Sequence, residues 1–250
     1  DDIPFQGESV IEPTFQLKAK WIDAADQMAA EHQGLTVVEP VTVIMTHLGE
    51  LMRDNASDLL TFTETQKLMD DMDKAHQRLI SDMVPAHITT GGIQRILQNL
   101  LAERISIRDL PAILEAIAEV CAGTNNLGMI TEHVRTRLAR QITAANSDEE
   151  GVLPLIALSP DWEATLTHAL MGDRDTKHLA LQPSKLQEFT TRLRDVFDQH
   201  SLSGESPVLL VNAAIRTQVR AIVERFRPSI VVMSQNEIYP RAKIKTLGRI

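Results

Sequence analysis

Glu12 and Phe15, in the stretch IEPTFQLKAKWID at residues 11–23, combine an acid and an aromatic with two residues between them. An apolar anchor beside a charge is what a protein-docking pocket uses, and the same phenylalanine would equally fill a core. Patterns for bond-making chemistry are missing: no Walker A, GxGxxG, HExxH, GxSxG or CxxC occurs. Gly91 and Gly92 precede an apolar helical pattern, but without the lysine and hydroxyl of a phosphate loop they read as a helix-entry turn. His47 has no second histidine or cysteine at metal-ligand spacing, so it reads as a surface or capping residue. Asp70, Asp71 and Asp73 flank an apolar stripe, which suits a solvated face better than paired catalytic carboxylates. Cys121, one turn after Ile117 and Ala118, reads as a buried, inert thiol. Neither a metal nor a cofactor is expected.

Composition narrows the function classes further. At 250 residues and 43% hydrophobic content the chain exceeds one small core and should form two or more domains. A net charge of -9 disfavours phosphate backbones and anionic lipid surfaces, so nucleic acid is not an expected partner. The single cysteine forms no intrachain disulfide, which points to a reducing compartment, the cytosol. No apolar run approaches the ~20 residues that span a bilayer, so any membrane anchor is expected upstream of Asp1.

The elements that must hold these residues are legible from hydrophobic period. Leu17, Ala19 and Trp21 alternate with Lys18 and Lys20 as in a half-buried strand, Asp23 can cap a helix ending near Gln33, and Gly34 can stop it before a second strand, LTVVE. That predicts a small βαβ unit over residues 1–39, part of an α/β subdomain. Residues 40–60 predict a helix with Val41, Ile44, Leu48 and Leu51 on one face. Residues 61–145 read as helical: a capping box at Thr63 and Gln66, then one stripe of Leu68, Met72, Ala75, Leu79 and Met83 closed by Pro85. Two helices follow, one burying Ile93, Ile96, Leu97, Leu100 and Leu101 and one with Pro111 in its first turn; another, around residues 130–142, aligns Ile130, Val134 and Leu138. A polar linker spans 146–151. From 152 to 250 the continuous apolar runs VLPLIAL, PVLLV and SIVVM alternate with helical patterns, predicting an α/β subdomain with a parallel sheet and AKIKTLGRI as its lysine-marked edge strand. The fold class is therefore α+β with an α/β part, in several subdomains. An enzyme housed in that sheet would use Ser159, Asp161, Asn212 and Gln235 near the strand ends, and these include no nucleophile paired with a histidine. The chain is not expected to be an enzyme.

The pieces IEPTFQLKAKWI, GLTVVEPVTVIMTHL, IQRILQNLLAERISIRDLPAILEAIAE, ITEHVRTRLARQI and PVLLVNAAIRTQVRAIVERFRPSIVVMSQNEI, then KIKTLGRI, occur in this order over nearly the whole chain. Together they resemble the cytoplasmic domain of the FlhA/SctV export-gate family of type III secretion (FHIPEP). The THL at residues 46–48, after PTF, resembles the flagellar branch more than the virulence branch, which is the alternative.

The resemblance implies a non-catalytic docking platform at the cytoplasmic face of the bacterial inner membrane. It implies a ring of copies, nonameric by resemblance alone, that receives export chaperone–substrate complexes and works with the export ATPase complex. Membrane contact would come only through an upstream transmembrane region, and the first of the family's four subdomains would be incomplete here. By motif match Glu12, Phe15 and Thr46 line the hydrophobic dimple for chaperones, with Val43 and Val38 extending its floor. Glu12 and Gln16 stand where the flagellar pattern often has Asp and Gly. Arg104, Arg108 and Asp109, around ERISIRDL, are candidates for the ring interface, against the alternative that Arg108 and Asp109 only cap and orient a helix. A purely structural ring scaffold is the remaining alternative.

Overall fold

The computed structural model describes residues 4–14, 17–172, 178–202 and 204–250. Two compact units divide at residue 60, and each is described by itself.

In the first unit β1 (Glu8–Ile11) and β2 (Lys18–Trp21) pair antiparallel, with Glu8 opposite Trp21 and Ile11 opposite Lys18. The Asp23 carboxylate accepts from Ala25 N at 2.9 Å, opening a 3-10 turn that continues into α1 (Gln27–His32). Gly34, at φ 79°, ends the helix in the left-handed region. The strand expected at residues 35–39 is not formed. That segment is irregular and runs into Pro40, and Glu39 has the extended φ −71° and ψ 150° that a following proline imposes. Strand-forming side chains do not make a strand where no ladder partner is offered, so this unit begins as a hairpin and helix instead of βαβ. Next come α2 (Pro40–Asp54), which has no buried residue, and the short α3 (Ala56–Leu59).

The second unit opens with helices. The N-cap of α4 (Phe62–Asp70) is Thr61, whose hydroxyl accepts from Glu64 N at 3.2 Å, two residues before the expected position; Gln66 instead bonds Asp70. The single stripe expected up to Pro85 is split, because Asp73 takes an extended backbone and accepts from the Ala75 and His76 amides, opening α5 (Lys74–Met83). An aspartate that can satisfy free amides competes with helix continuation, which is why this acid caps a helix while it stays exposed on the solvated face expected of it. Thr89 caps α6 (Thr90–Ala102) and Asp109 caps α7 (Leu110–Cys121). The helix expected around 130–142 is broken at Leu138 into α8 (Leu127–Arg137) and α9 (Ala139–Ala145). Ile93, Ile96, Leu97 and Leu100 of α6 and Ile113, Leu114 and Ile117 of α7 have no exposed surface, both helices packing on α8, while Leu101 is only half-buried.

The chain then enters a parallel sheet. Its elements are β3 (Val152–Ala157), α10 (Pro160–His168), a small antiparallel pair of β4 (Leu170–Met171) and β5 (His178–Leu179), α11 (Pro183–Leu202), β6 (Val208–Val211), α12 (Arg216–Phe226), β7 (Val232–Ser234) and β8 (Lys243–Arg249). The four-stranded order is β7-β6-β3-β8, every pairing parallel. The lysine-marked β8 therefore is an edge, as its composition predicts, the apolar runs VLPLIAL and PVLLV supply the two interior strands, and SIVVM supplies β7, the other edge. Phe189, Leu193 and Phe197 of α11 pack with Trp162, Leu209 and Val219 in the core beside the sheet.

Candidate functional site: the docking candidates, a charged loop and the ion network behind it

The residues expected to dock a partner all lie in the first unit. Glu12 sits just after β1, half-buried, where its amide donates to Leu17 O at 2.8 Å and its carboxylate accepts from Thr14 N at 2.9 Å. That carboxylate thus helps close the connection between β1 and β2. Phe15 and Gln16 lie outside the described residues. On α2, Thr46 is exposed and Val43, three residues earlier, half-buried, so both belong to one helix face. Val38 is 49% exposed and lies in the irregular segment before Pro40, so it does not end a strand as expected. The same helix exposes Val41, Ile44, Met45, Leu48, Leu51 and Met52, each by 45–66%.

The ring candidates sit in the loop between α6 and α7. Arg104 adopts φ 56°, alone among the described non-glycine residues at positive φ. Arg108 is exposed and its amide donates to Ser106 Oγ at 3.3 Å. Asp109 accepts from Ala112 N at 3.4 Å, so it does cap α7, and an exposed cap residue remains able to face a partner.

Behind that loop lies a cluster that sequence reasoning missed. Arg135 of α8 and Arg216, at the start of α12, are each 1% exposed, and so is Glu237, in the 3-10 turn Gln235–Glu237 after β7. Arg216 grips Glu103 with both terminal nitrogens, at 2.8 and 3.0 Å, and Glu132 with Nε at 2.6 Å. Arg135 donates from Nε to Glu237 at 3.1 Å, and its Nη1 lies 3.0 Å from Glu103 Oε2, close enough for charge attraction though not aligned as a hydrogen bond. Ser234 completes the Glu237 carboxylate through its amide at 3.0 Å and hydroxyl at 2.7 Å. Burial alone would raise the Glu103 carboxyl, but the guanidinium charges of Arg135 and Arg216 outweigh it and hold its pKa below that of an ordinary glutamate. Burial likewise opposes the charge on Arg216, and its hydrogen bonds and attraction to Glu132 and Glu103 raise its pKa instead. The one available signal was that Arg135 directly follows Val134 in an otherwise apolar stripe, and a snorkelling surface arginine gives the same pattern.

Other chemistry-bearing residues are committed to local structure. Ser159 caps α10 and Asn212 accepts from Ala214 N at 2.9 Å. Gly91 and Gly92 line an open cleft of about 360 Å³ with His87, Arg95 and Asn125. A Cβ on Gly92 would come within 2.8 Å of Ile88 Cγ1, so close packing is reason enough for glycine there. Cys121 is buried, and burial pushes its thiol pKa up, away from reactivity. Among the described residues no group of three or more His, Cys, Asp or Glu could hold a metal ion, and no helix is long and apolar enough to cross a membrane.

Residues 1–243 match the FHIPEP family. The chain is 47% identical over 248 residues to the flagellar biosynthesis protein FlhA of Caulobacter vibrioides, covering 99% of this chain and 35% of that protein. It is 32% identical over 248 residues to FlhA of Bacillus subtilis, covering 99% and 36%. The chain therefore spans about a third of the length of these curated relatives. Among solved structures it is similar to the Chlamydia pneumoniae CdsV protein, with TM-score 0.83, 26% identity and coverage of 93% of this chain and 66% of that one. Nonameric EPEC SctV-C shares the fold, with TM-score 0.81, 24% identity and coverage of 100% and 75%. With a family match over nearly its whole length, a relative close to half identical, and the mixed helical and parallel-sheet architecture of those neighbours, this chain belongs to the FHIPEP family.

Proposed function

We propose that this chain is the cytoplasmic part of a type III protein export gate of the flagellar branch. It is a non-catalytic platform that receives export chaperone–substrate complexes and assembles with its own copies into a ring. One observation carries the reading: the family match over residues 1–243 together with 47% identity to a flagellar relative. The curated relatives at 29–47% identity are named as flagellar, whereas the CdsV likeness is 26% identical, which favours the flagellar over the virulence branch. In this reading the chain works at the inner face of the membrane, attached through segments outside these residues.

Docking falls to Glu12, Phe15 and Thr46, with Val43 and Val38 extending an apolar floor, and ring contacts to Arg104, Arg108 and Asp109. The CdsV protein has been solved in complex with CdsO, and a counterpart of that partner, along with the export ATPase complex, belongs to the proposed partner set here. The EPEC neighbour was solved as a nonamer, and membership of the FHIPEP family supports a ring of copies for this chain.

Two results test the reading. Phe15→Ala is expected to weaken binding of an export chaperone–client complex at least ~10-fold in calorimetric titration, with the melting temperature kept within a few degrees, because an anchor in a pocket contributes about 2 kcal/mol or more. A core phenylalanine would instead cost about 3–5 kcal/mol of stability, so a large drop in melting temperature with unchanged binding per folded molecule rejects the docking role. Arg108→Glu is expected to reduce ring assembly on membranes without altering the fold. Unchanged assembly removes Arg108 from the interface, and a monomeric form that still binds client excludes a purely structural scaffold.

A further inference from the structure

Glu103 ends α6, and Arg104 after it occupies a backbone region that suits glycine. Arg104 N donates to Leu101 O at 2.8 Å and Ile105 N to Leu100 O at 2.9 Å, while Ile105 is buried. This closes the helix end but does not remove the clash that a Cβ brings at positive φ, and such a conformation persists where the surroundings over-determine it. Here the residue immediately before it is fastened by two buried arginines. Arg216 forks onto both Glu103 oxygens, and Arg135 links Glu103 to Glu237, whose own carboxylate is held by Ser234 at the end of β7. Both arginines also reach Val232 O at 3.4 Å. A continuous chain of charged contacts thus runs from the sheet edge, β7, to the turn at Arg104. The loop it reaches, 104–109, carries all three ring candidates.

We propose that Glu103 is a positioning residue for the ring loop: clamped by Arg135 and Arg216, it locks the left-handed turn at Arg104 and ties the presentation of residues 104–109 to the seating of α12 on β7 and of α8 on the turn after it. The proposal rests on the ring reading of that loop. Neutralising Glu237, which never touches the loop, should loosen it by unseating Arg135.

The test is amide hydrogen exchange on the monomeric chain, combined with a separate assembly measurement on membranes. In Glu237→Gln, exchange at residues 104–109 is expected to rise at least ~10-fold while the amides of β3 and β6 keep their protection, and assembly should weaken. Arg104→Gly in the same background should bring loop exchange back to within about threefold of the unmodified protein, because glycine takes the left-handed turn without a clamp. An even rise across loop and sheet, or no restoration by Arg104→Gly, overturns the proposal and leaves the network a purely structural one. If Glu237→Gln does not fold, Arg135→Lys carries the same expectations, since lysine keeps the charge but cannot bridge two carboxylates as a fork. If the loop loosens and is restored as described, yet Arg108→Glu and Glu237→Gln both assemble normally, the ring assignment of the loop fails, and the positioning role with it, while the clamp itself stands.

Discussion

Arg216→Leu should lower the stability of the unit formed by residues 61–250 by about 3–5 kcal/mol in urea unfolding at neutral pH. The arginine side chain is 2% exposed and neutralises Glu103 and Glu132 together. Removing it strands two carboxylates. Glu132, 29% exposed, can turn toward water, so most of the cost falls on Glu103, which is 17% exposed and keeps Arg135 at 3.0 Å and the more distant charge of Arg220. The dependence on pH follows from the direction of the Glu103 shift. Its folded-state pKa lies below the 4.5 of a free glutamate, so its contribution is complete above that value and is lost as pH falls through the lower, folded-state value. In the variant the stranded carboxylate protonates more easily, which relieves its burial. The stability gap between the two proteins should therefore be constant near neutrality and narrow in acid; a gap that widens in acid would show that the pairing of Glu103 is not the source of the loss.

Phe189→Ala should cost a similar amount, about 3–5 kcal/mol, for a different physical reason. The ring is wholly buried in α11, 5.3 Å from the Trp162 ring at 57°, a tilted contact worth about 0.5–1.5 kcal/mol beyond area burial. Lys185 Nζ lies 5.6 Å from the centre of the Trp162 ring, so both helices meet on the tryptophan. Truncation leaves a cavity lined by Trp162, Leu193 and residues of the sheet, which a packed interior relaxes to fill only in part. The unfolding midpoint in urea is the measurement, with Trp162 emission as a second signal. An unchanged midpoint would mean that the space closes without cost.

Much of the architecture followed from local pattern. Apolar runs such as Val208–Val211 became strands of an all-parallel sheet because burial on both faces needs unbroken apolar character, and β8 became its edge because alternating lysines tolerate that place. Helix stripes in α6 and α7 predicted their buried faces because a 3.6-residue period leaves few other ways to hide leucine and isoleucine. The errors have local causes too. Thr61 outcompeted Thr63 as a cap, Asp73 interrupted a stripe that looked continuous, and residues 35–39 had strand composition without a ladder.

For the sites, sequence alone named the candidates, through short motifs in a constant order: Glu12, Phe15 and Thr46 for docking, and Arg104, Arg108 and Asp109 for the ring. It also determined the family, because the order of many short motifs survives where no single one is decisive. Only the tertiary structure decided that Asp109 caps α7, that Arg104 is held at positive φ, and that Glu103, Glu132, Arg135, Arg216 and Glu237 meet. The members of that network are separated by up to 134 positions, from 103 to 237. A periodic pattern reports which way a side chain faces on its own helix; it carries nothing about the charge waiting opposite, since that depends on how α6 packs on α8, α8 on the turn after β7 and α12 on β7.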